Sequence, residues 1–243
     1  MAFIVNYKNM QTINTYRTAE DACLAVAKRL SELAKIGGTV ALSGGETPKK
    51  LFRIIAEQFS HTNWSRIKFF WGDERMVAHE NAESNYGAFY HKLVSTKIID
   101  QQNTFPITYF ANEAQSLENY LSKIEKNVPY HNGIPQFDVV ILGIGEDGHV
   151  ASIFPDNLAS FTSMSFAEIA THPNSKQQRI SLTGRTINNS KTVFFLTTGE
   201  NKSTIINEII THKNRELPAT LVDKPSQIVW FMDEGAASKL KTI

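Results

Sequence analysis

Several things this chain has little of narrow its reading. Its one cysteine, Cys23, cannot form an intramolecular disulfide, and it falls in an Ala/Leu/Val-rich helical pattern where a small core residue is expected. A formal charge of +1 gives no surplus of either sign, so composition offers no reason to expect nucleic acid or a membrane surface as a partner. No apolar run is long enough to cross a bilayer, and the opening MAFIVNYKNM lacks the basic flank and apolar stretch of a signal peptide. These absences lead to an expectation of a cytoplasmic protein. The seven histidines show no HExxH or paired spacing, and one cysteine cannot build a thiolate site, so a metal centre is not expected. There is no GxSxG nucleophile elbow and no GK[ST] ending of a P-loop. No repeat, low-complexity tract, charged tail or clear linker divides the 243 residues, so one domain over residues 1–243 is expected.

What is present is an alternation of short apolar runs with amphipathic stretches. Residues 3–7, 39–42, 67–71, 137–142, 179–182, 192–197 and 228–232 read as strands. Residues 18–36, a stretch around Leu51, Ile54, Ile55 and Phe59, residues 84–94, 113–128, 202–211 and 233–241 read as helices. Strand alternating with helix predicts an α/β fold: a mostly parallel sheet with helices on both faces. The least regular stretch, 156–178, carries no strand signal and reads as a surface excursion near the site.

The chain is organised around residues 137–155, FDVVILGIGEDGHVASIFP. An apolar, β-branched run of the kind buried on both faces of a parallel sheet leads into Gly143, Gly145 and Gly148. Glycines there allow a sharp turn and leave room for a ligand, and Glu146, Asp147 and His149 sit inside the turn. Parallel sheets bind ligands at the carboxyl ends of their strands, so this reads as an active-site edge. The letters also fit GxGxxG, and Glu168 lies near the distance at which a dinucleotide fold places its acid. The intervening strand is missing from the pattern, which argues against that cofactor.

Two other strand ends carry polar clusters, and a pair of cations forms a third group. SGGETP at 43–48 joins a strand to a helix. Thr47 is expected as the N-cap and Pro48 at the first helical position. Gly44 and Gly45 would let an anion approach the free N–H groups, with Ser43 and Thr47 as hydroxyl donors, although a plain capped helix explains these residues equally well. At 71–75, WGDER crowds Asp73, Glu74 and Arg75 at a strand end, where a surface ion-pair cluster is the simple alternative. SNY at 84–86 could be only a helix start capped by Ser84. Arg179 and Lys202 are the remaining cations of interest, since two cations and a helix N-terminus make a phosphate pocket.

Taken in order along the chain, SGGETP (43–48), WGDER (71–75), SNY (84–86), GIGEDGHVASIFP (143–155), RIS (179–181), GENK (199–202), LPA (217–219) and Trp230 with Asp233 resemble the 6-phosphogluconolactonases. These belong to the superfamily shared with glucosamine-6-phosphate deaminase. The resemblance implies a Rossmann-like α/β fold without a nucleotide and no metal or organic cofactor. It also implies hydrolysis of 6-phospho-D-glucono-1,5-lactone to 6-phosphogluconate, a carboxylic-ester hydrolysis in the oxidative pentose phosphate pathway. His149 would be the general base, Asp73 and Asp147 would orient the His, the water or sugar hydroxyls, and Ser43, Gly44, Gly45, Thr47, Arg75, Arg179 and Lys202 would hold the phosphate and sugar. The expected partner is the small sugar-phosphate lactone, with neither nucleic acid nor membrane, acting as a monomer or weak homodimer. The deaminase pattern fits less well: it has Asp-Glu-Tyr where this chain has Asp73-Glu74-Arg75, and an acid soon after the His where this chain has Ser152-Ile-Phe-Pro155. A non-enzymatic sugar-phosphate sensor is a third reading, but the first forty residues show no basic recognition helix. Asp156-Asn157 after Pro155 departs from the lactonases, which often have Gly there.

Overall fold

The computed structural model describes residues 5–6 and 10–240. In chain order its elements are β1 (Val5–Asn6), β2 (Met10–Tyr16), α1 (Ala19–Ile36), β3 (Gly38–Leu42), α2 (Glu46–Gln58), β4 (Ile67–Trp71), β5 (Asp73–Arg75), α3 (Asn85–Phe89), α4 (Glu113–Asn127), β6 (Tyr130–His131), β7 (Ile134–Pro135), β8 (Val139–Leu142), β9 (Ala167–Thr171), β10 (Gln178–Leu182), α5 (Gly184–Asn189), β11 (Thr192–Thr197), α6 (Ser203–Ile210), β12 (Gln227–Asp233) and α7 (Glu234–Ala237). Seven strands form the main sheet in the order β1-β2-β12-β11-β8-β3-β4. All its neighbours pair in parallel except the short β1–β2 hairpin.

The central strands follow from their side chains. Val139, Val140, Ile141 and Leu142 on β8 and Val193, Phe194, Phe195 and Leu196 on β11 are all buried, so both faces of the sheet are covered. Burying each such side chain stabilises by roughly 1.5–3 kcal/mol. Helix α1 starts where Thr18 caps the Asp21 N–H, and it turns Ala22, Val26 and Leu30 inward; it packs against α2 and β12. Cys23 is among its buried residues, and burial pushes its thiol up to about 12, so it behaves as a small core residue.

Several elements were not read from the sequence. Strand β2 joins the sheet beside β12, with Ile13 opposite Trp230. Of the strand expected at 3–7, only Val5–Asn6 is seen as β1, and the rest lies outside the described residues. Residues 73–75 form β5, which pairs with β10 and β9 in a small antiparallel sheet. The stretch 156–178 therefore contains a strand after all: Ala167–Thr171 is the outer edge of that sheet, burying Ala167 and Ala170 and leaving Ile169 and Thr171 exposed. Its first turns, Pro155–Phe161, are 3₁₀-helical. Residues 84–94 divide into α3 and a π-helical segment, Tyr90–Val94. Helix α5 was not expected, and the 202–211 helix is a 3₁₀ turn, Glu200–Lys202, followed by α6. Beyond the strand at 228–232, α7 ends at Ala237, short of residue 241, which lies outside the described residues.

The two sheets meet at Gly72. Its N–H donates to the Leu42 carbonyl of β3 at 2.7 Å, and its carbonyl accepts from Leu182 of β10 at 2.7 Å. Just beyond, Glu74 is buried at 1% exposure rather than part of a surface cluster. Burial pushes its carboxyl up, but the N–H groups of Arg75, Asn85 and Tyr86 and the Ser84 hydroxyl all donate to it at 2.8–2.9 Å. Four donors on two oxygens leave no acceptor for a proton, so the carboxylate is the form held. Ser84 also caps α3 through the Gly87 N–H at 2.9 Å, as the sequence suggested. Glu74→Gln should turn an amide N–H₂ against these donors and lower stability by about 2–4 kcal/mol. For a chain of this size that is roughly 4–16 °C in Tm, read by differential scanning calorimetry. An unchanged Tm would mean that α3 is held by packing alone.

Candidate active site

The sequence order of the sheet reverses between β3 and β8: β3 is followed outward by β4, whereas β8 is followed on its other side by β11 and β12. A crevice opens at such a point, outside the carboxyl ends of the strands. Here a cleft of about 230 Å³ is lined by Ser43, Gly44, Gly45, Asp73, Arg75, Asn85, Gly143, Ile144, Gly145, His149, Ala151, Arg179 and Lys202. It adjoins a wider cavity of about 1190 Å³ that shares Gly44, Gly45, Gly143, Ile144 and Lys202 and also reaches Thr47, Thr198 and Gly199. Eight of the ten residues singled out in the sequence therefore line the cleft. Thr47 borders the neighbouring cavity, and Asp147 acts from behind His149.

The glycine turn shapes the His149 side. Gly148 and Ala151 both hold left-handed backbone, at φ +83° and +50°, on either side of His149, Val150 and, for Ala151, just before Ser152. The Gly148 carbonyl accepts from the Ala219 N–H at 3.1 Å, which ties the LPA segment to the turn. His149 Nδ1 lies 2.6 Å from Asp147 Oδ1, and the His149 backbone N–H donates to the same oxygen at 3.1 Å. The hydrogen bond from His149 is the main reason that the Asp147 carboxyl falls to about 2. A carboxylate only accepts, so Nδ1 carries the proton, and in the neutral ring Nε2 keeps its lone pair. The imidazole packs on Phe154 with ring centres 4.9 Å apart.

Gly145 is what makes room for this pair. A Cβ there would fall on His149 Nδ1 and Cε1 and within 2.5 Å of Asp147 Oδ1. Gly145→Ala is expected to lower kcat by ~10²-fold, the lower end of what a positioned acid or base contributes, with Tm shifted by only a few degrees. Steady-state kinetics beside thermal melting separates the two effects; full activity in the variant would show that the His149–Asp147 contact is dispensable.

The opposite wall is a second, separate polar network. Ser152 Oγ donates to Asp73 Oδ2 at 2.7 Å and accepts from Arg179 Nη1 at 3.4 Å, while Arg179 Nη1 lies 3.8 Å from Asp73 Oδ2. The Arg179 guanidinium stands 5.8 Å from the Phe154 ring centre. Asp73 thus faces Arg179 and Ser152, whereas Asp147 faces His149. Arg75 donates to the Glu83 carbonyl across the rim. Ser43 is buried and its hydroxyl donates to the Ile141 carbonyl at 2.8 Å, which fixes the β3–β8 junction rather than offering a free donor.

The helix start differs from expectation. Gly45, at φ +101°, is the N-cap of α2 and no side chain caps it; Thr47 and Pro48 lie inside the first turn. A left-handed glycine here lets the helix begin two residues early, so the Thr47 hydroxyl pairs with that of Thr198 at 2.9 Å instead of capping. Nearby, the Asp233 carboxylate accepts from the Gly199 N–H and caps α7 through the Ala236 N–H, fixing the turn that leads to Lys202. Asn201 joins that turn to Glu146 of the glycine loop at 2.6 Å. The Lys202 ammonium has no ion pair or hydrogen bond among the described residues and borders both cavities. After β8, the described residues show no helix rising from the Gly143–Gly148 turn, so GxGxxG here lacks the helix N-terminus that a pyrophosphate would need.

Sequence reasoning gave no role to Asn85 and used Ser152 only as a departure from the deaminases. Their position depends on tertiary contacts, and the one signal was the SNY and VAS letters.

A histidine held by an ionised carboxylate, in a glycine-lined cleft bearing three cations, defines an acid–base site suited to a small anionic substrate. Residues 14–230 match the family described as glucosamine-6-phosphate isomerases/6-phosphogluconolactonase, and the chain belongs to that family. It is 35% identical over 233 residues to the 6-phosphogluconolactonase of Haemophilus influenzae, covering 93% of this chain and 98% of that one. It is 33% identical over 222 residues to the human 6-phosphogluconolactonase, covering 90% of this chain and 84% of the other. The solved 6-phosphogluconolactonase from Trypanosoma cruzi superposes with a TM-score of 0.84 at 27% identity, covering 100% of this chain and 99% of that one. The α/β fold expected from the sequence is thus the observed one. None of the described helices is long and apolar enough to cross a membrane.

Proposed function

We propose that this chain hydrolyses 6-phospho-D-glucono-1,5-lactone to 6-phosphogluconate in the oxidative pentose phosphate pathway, with His149 as the base. The observation that carries the chemical assignment is the 2.6 Å His149–Asp147 contact at the edge of a cation-bearing cleft. Nε2 of the neutral imidazole takes a proton from a water as its oxygen bonds to the lactone carbonyl carbon. Asp147 holds the ring as it becomes imidazolium. The tetrahedral adduct then collapses: the bond from the former carbonyl carbon to the ring oxygen breaks, and the imidazolium returns the proton to the departing oxygen. A positioned acid–base group is typically worth ~10²–10⁴-fold. Lys202, Arg75 and the N-terminal turn of α2 would attract the phosphate.

A deaminase would need an acid soon after the histidine. In this chain the run there is Ser152-Ile-Phe-Pro155, which holds no acid. The same proposal takes the chain as one domain over 1–243, cytoplasmic, a monomer or weak homodimer, without nucleic-acid or membrane partners. The direct test is hydrolysis of freshly made lactone, corrected for its spontaneous opening, beside ammonia release from glucosamine 6-phosphate. Lactone hydrolysis without ammonia is the expected result. Ammonia without faster lactone hydrolysis would overturn the proposal.

A further inference from the structure

Asn85 is 97% enclosed, at 3% exposure, yet it borders the cleft. Its backbone N–H is held by Glu74 at 2.8 Å. Its side-chain Nδ2 donates to the Asp73 carbonyl at 2.8 Å and lies 3.4 Å from Asp73 Oδ1. Both partners are acceptors only, so the amide cannot be flipped: Nδ2 faces Asp73 and Oδ1 faces the opposite way. Oδ1 takes no hydrogen bond among the described residues. It occupies the place that a Cβ on Gly44 would fill, beside the uncapped Gly45 turn.

A carbonyl oxygen fixed in this way accepts a proton donor and nothing else. A phosphate dianion offers only acceptors, so it is turned away from Oδ1 itself and toward the open N–H groups of the α2 turn and Lys202. On the proposed reading Lys202 and Arg75 serve the phosphate, which leaves Oδ1 to read an O–H group. We propose that Asn85 is a specificity-determining residue whose Oδ1 accepts a hydrogen bond from a ring hydroxyl of the sugar lactone. The inference rests on the lactonase reading above. It also gives Gly44 a purpose: the absence of a side chain there lets Oδ1 reach the substrate.

The test uses wild-type protein first, on the phosphorylated lactone and on analogues in which one ring hydroxyl is replaced by hydrogen or by fluorine. At one position both replacements should lower kcat/KM by roughly ten- to a hundred-fold, because fluorine cannot donate a hydrogen bond. Asn85→Ala, and separately Gly44→Ala, should then shrink that penalty to under about 3-fold, since the acceptor is gone or displaced. No hydrolysis of the parent lactone would refute the function itself. Normal hydrolysis with no position sensitive to both replacements would refute only the Asn85 assignment. So would a penalty that persists undiminished in either variant. A loss in Asn85→Ala that is equal for the parent and all analogues would mean that Oδ1 holds the attacking water, which also overturns the proposal.

Discussion

Replacing His149 with alanine is expected to lower kcat by at least ~10²-fold with the far-UV circular dichroism spectrum unchanged. The imidazole makes one side-chain hydrogen bond, to Asp147, and one ring contact, to Phe154; its side chain is 29% exposed. Removing it leaves no buried donor without a partner, so the cost in stability is small. The cost in rate is large because Asp147, even once freed from the His149 hydrogen bond that holds its carboxyl at about 2, is a carboxylate and too weak a base to replace an imidazole. That lowered value also sets a pH expectation. A carboxyl depressed in the folded state adds stability that is complete above its ordinary value and is lost as pH falls toward about 2. Above about pH 4, Asp147 stays ionised, and any acid limb of kcat/KM in that range belongs to another group. Near-wild-type kcat in folded His149→Ala would assign the base elsewhere.

Lys202 and Arg179, grouped as equivalents on sequence, should separate in experiment. Lys202 has no partner among the described residues, so Lys202→Ala removes only a contact to substrate. The loss should be roughly ten- to a hundred-fold in kcat/KM on the phosphorylated lactone, the worth of one charge-assisted contact. Activity on unphosphorylated gluconolactone should barely change. Arg179 already answers the Asp73 carboxylate, 3.8 Å away, at a site where both side chains are at most 10% exposed. Arg179→Ala leaves that carboxylate buried without its cation, a change that destabilises strongly. Both lactones should then suffer, and Tm should fall. A Lys202→Ala loss that is equal on both substrates would place the lysine in the chemistry or the fold; an Arg179→Ala loss confined to the phosphorylated lactone would restore the original equivalence.

The elements that sequence revealed are those whose pattern is set by burial. Strands β4, β8 and β11 are nearly unbroken apolar runs because both faces of the sheet are covered, and α1 shows its period because one stripe is buried. Strand β2 was invisible because Gln11, Thr12, Asn14 and Thr15 give it no apolar run, and its place beside β12 is set by pairing with a distant segment. Strand β9 was missed for a related reason: as a partly exposed edge, it carries Glu168 and Thr171 beside its two buried alanines. The site was legible where glycine or histidine chemistry marks it. The division of labour between Asp73 and Asp147 was not, because it depends on which carboxylate meets which partner across the cleft. The N-cap was misplaced by two residues because only the backbone reveals that Gly45 is left-handed.

The strand order also has a consequence for how the chain acquires its fold. Asn14 donates to the Trp230 carbonyl 216 residues away, and Thr39 to Asp138 at a separation of 99. The parallel pairs at the centre of the sheet are therefore long-range closures, whose entropy must be met before any of them is rewarded. On a ribosome the walls of the cleft emerge far apart in time, and β12, which lies between β2 and β11, arrives last. Until then those two strands present open edges to whatever is nearby, so their vulnerability to aggregation lasts until β12 has been made.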